Sequence, residues 1–449
     1  MKGKAYMCEI ILPKPVRLII DVLEKNGYEG YAVGGCVRDV MLGREPQDWD
    51  ITTNALPHQV KELFNRTIDT GIQHGTVTIM MNHVGYEVTT YRIDGEYEDG
   101  RHPNTVEFTS NLVEDLKRRD FTINAMAYND RVGLVDEFNG LEDIKLGIIR
   151  CVGNPEDRFT EDALRIMRAV RFAAQLGFNI EENTENAISK LAGNLVNISK
   201  ERIHTELIKL LVSPNPGMIK EMYVTGITKY IMPEFDAMMN TSQNSPYHMY
   251  SVGEHTIKVL ENIEADPYLR WAALLHDIGK PLMKTTDAKG IDHFHGHEEK
   301  GSEIARELLK NLKMDNKTID VVTKLVKYHD YPLSGGKKII RRSMNRVGID
   351  IYPMFLKLKW ADMLGKNQYS IDKNTPIIKE AEKLYNEICK EQECVAVKDL
   401  AVNGRDLIEL GIPRGEQIGI VLERLLEIVL DEPSQNKKET LLKEALKYL

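Results

Sequence analysis

Two sets of residues in this chain have the types and spacing for metal chemistry. The first lies in "VGGCVRDVMLGREPQDWDIT", where Gly34 and Gly35 precede Arg38, and Asp48 and Asp50 follow at alternate positions. Paired glycines where a strand passes into a helix let the backbone approach a phosphate closely, and an arginine one turn on adds a charge-assisted bond. Carboxylates two apart on a strand share one side. Beside such a cradle they suit Mg2+, which takes one or two carboxylates together with substrate phosphates. Asp-x-Asp alone is more often a solvated strand end; the glycines and Arg38 favour the metal reading.

The second set comprises His255, the doublet His276 and Asp277 in "LLHDIGKP", His297, His329 and Asp362. Nitrogen and oxygen donors of this kind suit a divalent transition metal. A lone histidine is usually a core or surface residue, but six such residues within about 110 positions are better explained as one site. His293 and His295 read as loop neighbours outside it.

These residues need elements to hold them. Up to about residue 150, "GYAVGG", "DWDITT", "GTVTIMMN", "GYEVTTYR" and "GLVDEF" read as strands and "PHQVKELF" as a helix, with a helix opening at Cys36. Asp48 and Asp50 fall on the second of these strands. From about Pro155 amphipathic helices take over. "TEDALRIMRAVRFAAQLGF" reads as one helix carrying Ala163, Ile166, Val170 and Ala173 on one face and arginines on another. His276 and Asp277 are expected on a helix. "SPNPG" and "MNTSQNSPYH" read as loops, "CVAVKDLAVNG" as a short extended piece, and "GEQIGIVLERLLEIVLDEP" and "KKETLLKEALKYL" as closing helices.

A chain of 449 residues exceeds one hydrophobic core, so several domains are expected. Hydrophobic residues at 42% and charged residues at 28% fit a globular protein. No apolar run reaches the roughly 20 residues of a membrane span, so no membrane partner is expected and a cytoplasmic location is. Cys8, Cys36, Cys151, Cys389 and Cys394 form no CxxC pair, which argues against a disulfide framework or zinc knuckle. The net charge of -9 requires any nucleic acid to meet a local basic patch, for which "LKRRDF" and "LRIMRAVRF" are candidates.

"GGCVRD", "QDWDITT", "EVTTYR", "EDLKRRDFTINAMA" and "EDALRIMRAVRF" resemble the ordered motifs of class II tRNA nucleotidyltransferases, the CCA-adding enzymes and their bacterial poly(A) polymerase relatives. The closing "VNGRDLIELGIPRGEQIG" is similar to that family's tail. The resemblance implies an α/β nucleotidyltransferase head of the DNA polymerase beta type, followed by a mainly α-helical neck, HD body and tail. The expected domains are 1–150, 151–245, 246–370 and 371–449. Asp48 and Asp50 would hold two metal ions for in-line phosphoryl transfer from ATP or CTP to a tRNA 3′-hydroxyl. Glu87 is open between a third carboxylate and an exposed strand residue. Gly35, Arg38 and Arg119 resemble triphosphate contacts and Asp120 a ribose contact, with helix capping ahead of "FTINAMAY" as the plainer role of Asp120.

Asp162 and Arg165, three apart on the expected helix, read first as a surface ion pair. Cytosine and adenine, however, both present an amino donor beside a ring-nitrogen acceptor. A carboxylate and a guanidinium would therefore select C and A and leave G and U with unpaired groups. The family uses the motif in this way, and Arg168 and Arg171 resemble its further nucleotide contacts. The loop containing Arg92, Asp94, Gly95, Tyr97, Gly100 and Arg101 resembles the element the family needs for the A step, favouring full CCA addition.

The histidine set resembles the HD metal-dependent phosphohydrolases, with His297 and His329 matching the extra ligands of two-metal members. Such domains fused to tRNA nucleotidyltransferases carry phosphodiesterase, 2′-nucleotidase or phosphatase activity; the alternative is a helical body that grips tRNA. The competing functions are a poly(A) polymerase or A-adding enzyme, and an HD nucleotide phosphohydrolase with a nucleotide-binding head. A non-catalytic RNA-binding protein would have no need of the carboxylates and cradle. Oligomeric state is not legible.

Overall fold

The computed structural model describes residues 10–95, 106–244 and 250–449. Tyr97, Gly100 and Arg101 lie outside the described residues. The chain forms two compact units divided after Pro233.

The first unit opens with α1 (Lys14–Lys25), which starts with a proline in its first turn and buries Val16, Ile19, Ile20 and Leu23 at helical spacing. The sheet that follows contains β1 (Gly30–Val33), β2 (Ile51–Thr53), β3 (Thr67–Gly71), β4 (Thr76–Met81), β5 (Val84–Thr90), β8 (Ala127–Asn129) and β9 (Gly133–Val135), in the order β3-β4-β5-β2-β1-β8-β9. Between these run α2 (Gly35–Met41), α3 (Pro57–Leu63), the hairpin β6 (Arg92–Asp94) and β7 (Val106–Phe108), and α4 (Leu112–Lys117). A core of Tyr31, Val33, Tyr91, Leu112, Leu116, Ala125, Ala127 and Val152 joins sheet to helices.

Register brings the chemistry to one sheet end. β1 and β2 are antiparallel with Ala32 opposite Ile51, so the residues after Val33 meet those before Ile51. The bond from Val33 N to Asp50 O, 3.0 Å, fixes this meeting. β2 and β5 are parallel with Ile51 opposite Val88, which sets Glu87 level with Asp50. Asp48 and Asp50 precede the strand instead of lying on it, since β2 begins only at Ile51. "FTINAMAY" is no helix either: a 3-10 turn at Thr122–Asn124 leads directly into β8.

After α5 (Gly140–Leu146) and β10 (Ile148–Ile149), the expected single helix is two. α6 (Pro155–Glu161) ends at Asp162, whose backbone is extended at φ -140° and ψ 102°, and α7 (Leu164–Leu176) begins beyond it. The cause is local. The Asp162 carboxylate accepts from Leu164 N at 3.0 Å, a cap that competes with helix continuation. β11 (Asn179–Ile180), α8 (Glu182–Leu191), α9 (Lys200–Leu211), α10 (Ile219–Val224) and α11 (Thr228–Ile231) complete the unit, and α7 packs on α9.

α12 (Pro233–Met239) leads into the second unit, which contains α13 (Val252–Glu261), α14 (Pro267–Leu275), α15 (Lys280–Met283), the hairpin β12 (Thr285–Thr286) and β13 (Asp292–His293), α16 (His297–Asn311) and α17 (Asn316–Tyr328). α18 (Gly336–Val347), α19 (Tyr352–Leu364), α20 (Gln368–Glu391), α21 (Gly404–Glu409), α22 (Glu416–Asp431) and α23 (Lys438–Ala445) follow. "CVAVKDL" holds a 3-10 turn at Val397–Asp399 in place of the extended piece, because Asp399 caps the amide of Ala396. His276 is the cap of α14, so His276 and Asp277 occupy the turn between α14 and α15. Gly279 in that turn abuts α16: a Cβ there would collide with the His297 carbonyl and the Gly301 backbone.

Candidate functional site

Gly34 has φ 81° and ψ -125°, a backbone state that side chains rarely adopt. A Cβ on Gly34 would lie 2.8 Å from Nη1 of Arg119, so the absent side chain is also what admits that guanidinium. Arg119 reaches Asp115 only at 3.6 Å through Nη2, and its buried Nε has no hydrogen-bond partner. It retains donors for an anion beside the two glycines. Asp50 is exposed to water, yet the surrounding protein raises its carboxyl above the usual range; Arg119 works against that rise, and Glu87 and Asp48 add to it. Oxygen donors in a self-repelling group beside unsatisfied arginine donors fit a hard cation with a polyphosphate.

Arg38 is buried and already engaged, donating to Asn124 Oδ1 at 2.7 Å and to Asp39 at 2.8 and 2.9 Å. Asp120 accepts from Phe121 N at 2.8 Å, Asn124 Nδ2 at 3.1 Å and Arg168 Nε at 2.7 Å. Burial opposes its charge, but Arg168 and Asn124 hold the carboxyl down at about 2. Asp115 is fully buried and accepts from Arg118, Thr52 and the Arg92 amide. It thereby ties α4 to β2, the strand that Asp50 immediately precedes.

The expected ion pair of Asp162 with Arg165 is not formed. Arg165 Nη1 reaches Glu161 Oε2 at 2.6 Å and its Nη2 donates to Arg118 O at 3.0 Å, while Asp162 Oδ2 takes Arg202 Nη2 at 2.8 Å. The break at Asp162 turns the two side chains to different partners. Arg171 is buried against Glu206 at 2.7 Å, and its guanidinium lies 3.6 Å from the Phe172 ring centroid. The arginines of α7 are therefore not a solvated face: Arg165 and Arg171 are buried and Arg168 is half-buried.

In the second unit His255, His276, Asp277, His297, His329 and Asp362 are all buried and converge. Each imidazole Nδ1 lies beside a backbone carbonyl oxygen: His255 by Gly365 at 3.1 Å, His276 by Ala273 at 2.8 Å, His297 by Phe294 at 2.8 Å and His329 by Val326 at 2.7 Å. A carbonyl has no proton to give, so every Nδ1 donates and every Nε2 is the ring atom turned inward, toward the carboxylates of Asp277 and Asp362. His276 Nε2 faces His255 Nε2 at 3.4 Å, and His297 Nε2 faces His329 Nε2 at 3.2 Å. Only a proton or a cation relieves such pairs.

Asp277 joins the two pairs. Its Oδ2 lies 3.2 Å from His276 Nε2 and its Oδ1 3.4 and 3.6 Å from His297 and His329. His255, His276 and Asp277 form one group of donors within 4.8 Å, and Asp277, His297 and His329 another. Asp277 Oδ2 is buried without a hydrogen bond of proper geometry, although Lys280 Nζ is 2.7 Å away. Asp362 accompanies the first group, 3.0 Å from His255 Nε2. The donor set fits one or two divalent transition metals. His293 lies apart, paired with Asp287 at 3.1 Å and stacked on His295.

The pattern of the "Poly A polymerase head domain" matches residues 30–150, that of the "Probable RNA and SrmB-binding site of polymerase A" residues 177–239, and that of tRNA nucleotidyltransferase domain 2 residues 297–445. A CCA-adding enzyme of Ligilactobacillus salivarius is 35% identical over 98% of this chain and 98% of its own. This chain belongs to the CCA-adding enzyme family. The Bacillus stearothermophilus CCA-adding enzyme solved in complex with CTP superposes with a TM-score of 0.70 at 29% identity, covering 97% of this chain and 98% of that one. The Thermotoga maritima CCA-adding enzyme complexed with tRNA, at 24% identity and a TM-score of 0.60 over 97% and 96% of the chains, shares the fold.

As a CCA-adding enzyme family member, the chain has an α/β nucleotidyltransferase head and a mostly helical remainder. Several residues of the sites were not among the candidates read from the sequence. Asn124 follows Asp120 by four and Lys280 follows His276 by four, spacings that could have drawn notice. Glu206 and Arg202 lie 35 and 40 residues from their partners and had no local signal.

Proposed function

We infer that this protein is a CCA-adding tRNA nucleotidyltransferase, appending C, C and A to tRNA 3′ ends from CTP and ATP without a nucleic-acid template. The observation that carries the reading is the 35% identity to a CCA-adding enzyme along 98% of both chains. A tRNA substrate implies action in the cytoplasm; among the described residues no helix is long and apolar enough to cross a membrane. Extension of a tRNA lacking its 3′ end, with each triphosphate offered separately, tests the reading.

In this reading Asp48 and Asp50 hold Mg2+, which when bound neutralises triphosphate charge and activates the 3′-hydroxyl for in-line attack. Arg119 supplies its unpartnered donors to phosphate oxygens, and Gly34 and Gly35 keep the approach open. Arg38 acts through Asn124, holding the amide that in turn orients Asp120. Asp120, kept ionised by Arg168, has lone-pair capacity left to accept from a ribose hydroxyl. Asp162 accepts from the amino group of C or A and Arg165 donates to the ring nitrogen. Glu161 and Arg202 hold the two apart and aimed until a base arrives. A matching base replaces existing bonds; a mismatched one leaves buried groups unpaired.

A second activity is favoured by the inward-facing Nε2 atoms. We assign His255, His276, Asp277, His297, His329 and Asp362 to an HD phosphohydrolase centre holding a divalent transition metal, which when bound supplies an activated water for phosphate-ester hydrolysis. The proposed organisation is a head at 1–150, a neck at 151–245, an HD domain at 246–370 and a tail at 371–449. Metal-dependent phosphate release that disappears in His276→Ala tests this activity; equal release in the variant contradicts it.

A further inference from the structure

Phe172 lies in "LRIMRAVRF", where an apolar residue in a helical period reads as core, and it is buried on α7. Its surroundings are not those of a core residue. The guanidinium carbon of Arg171 lies 3.6 Å from the ring centroid, that of Arg38 5.0 Å and that of Arg168 5.3 Å. All three fall within the roughly 6 Å over which a cation is drawn to an aromatic ring. Burial pulls the Arg171 guanidinium below the ordinary arginine range; Glu206 opposes that fall and Arg168 adds to it, so these cations also repel one another. An aliphatic side chain would fill the same space but offer them no negative π cloud.

Three residues donate to the Asp120 carboxylate among the described residues, and each leads back to this ring. Arg168 reaches Oδ2 at 2.7 Å through Nε and at 2.6 Å through Nη2. Asn124 Nδ2 reaches Oδ1 at 3.1 Å, while its own Oδ1 accepts from Arg38 Nη1 at 2.7 Å. The Phe121 amide reaches Oδ1 at 2.8 Å, and the Phe121 ring meets Phe172 edge to face, with centroids 5.8 Å apart and planes at 81°. Arg38 comes from α2, Phe121 caps the 3-10 turn that holds Asn124, and Arg168 stands one turn before Phe172 on α7. A side chain with no hydrogen-bonding group of its own thus underlies every bond that orients Asp120.

We propose that Phe172 is a positioning residue for sugar recognition: its ring holds Arg38, Arg168 and Phe121 so that Asp120 stays aimed at the ribose hydroxyl of the incoming nucleotide. The proposal rests on the reading of Asp120 as the ribose contact. Loss of the ring contact lets Arg168 and Asn124 shift, and a carboxylate that wanders no longer tells a ribonucleotide from its 2′-deoxy counterpart. Base choice, which lies with Asp162 and Arg165, moves less.

Addition of CTP and of dCTP to a tRNA lacking its 3′ end, by the full chain, gives the ratio of kcat/KM for the two sugars. Pentafluorophenylalanine at position 172 keeps the shape of the ring and removes its negative face, Phe172→Leu removes the ring, and Phe172→Tyr keeps it. The fluorinated protein and Phe172→Leu are each expected to lower the CTP-to-dCTP ratio by about fivefold or more, and Phe172→Tyr to hold it within about twofold of the parent. Thermal transitions recorded alongside identify the folded variants, and the fluorinated protein decides the matter where Phe172→Leu does not fold. In an Asp120→Ala background, Phe172→Leu should lower the ratio no further. An unchanged ratio in the fluorinated protein, with Asp120→Ala lowering it, overturns the role of Phe172 while leaving Asp120 as the ribose contact. An unchanged ratio in Asp120→Ala removes the ribose reading and the proposal together.

Discussion

Asp162 and Arg165 stand three residues apart, yet each is held by a different partner: Asp162 by Arg202 at 2.8 Å and Arg165 by Glu161 at 2.6 Å. The break in the helix at Asp162 leaves the two as separately anchored groups, which in the proposed function read two adjacent positions on a base edge.

Asp162→Ala is expected to relax base choice. A bidentate contact to a base edge discriminates by about 1–3 kcal/mol, so incorporation of C and A should fall roughly tenfold to a hundredfold relative to G and U. Single-nucleotide incorporation assays measure this directly. Unchanged selectivity in a folded variant would remove Asp162 from the template.

Gly34→Ala is expected to damage nucleotide binding more than folding. The strained backbone costs about 1–3 kcal/mol, and the new Cβ, 2.8 Å from Arg119 Nη1, must push the guanidinium aside. The KM for CTP should rise at least tenfold while the thermal transition moves by a few degrees. An unaltered KM would show that Arg119 does not meet the triphosphate.

Much of this head was legible because its chemistry is local. Gly34 and Gly35 announce a close approach, and Asp48 and Asp50 sit one β register away from it. The split helix was not legible: Ala163, Ile166, Val170 and Ala173 continue an unbroken apolar period, and nothing in that period weighs the Asp162 cap against it. The donor set of the second unit could be named from residue types, but not its turn. His276 and Asp277 leave the helix because α14 ends at Leu275, and only the packing of Gly279 against α16 explains why the chain turns there. Buried pairs such as Arg171 with Glu206 come from distant helices, where sequence spacing carries no information.

Acid should weaken the fold through Asp120. Its folded carboxyl sits at about 2 against an ordinary value near 4, so the stabilisation is fully present above about pH 4 and is lost as pH falls toward 2. The amount at stake is on the order of 2 kcal/mol. Between pH 4 and 2 the melting temperature of the parent should therefore fall more steeply than that of Asp120→Asn. Parallel slopes would contradict the Arg168 pairing as the cause.

Metal removal should act on the second unit. Chelation is expected to lower its melting temperature, because the inward-facing Nε2 atoms lose their common partner. His276→Ala should reduce metal affinity at least roughly a hundredfold while tRNA extension in Mg2+ continues. Elemental analysis of the purified variant and parent checks the first point. Equal metal content would place the ion elsewhere.

The central claim is tested most directly by primer extension. A tRNA ending before its CCA is incubated with the purified chain and CTP alone, ATP alone, or both. The account predicts two C residues with CTP alone, a completed CCA end with both and then a stop, and loss of all extension by several orders of magnitude in the Asp48→Asn, Asp50→Asn variant. Unlimited addition of A from ATP alone, or undiminished extension by the double variant, would contradict it.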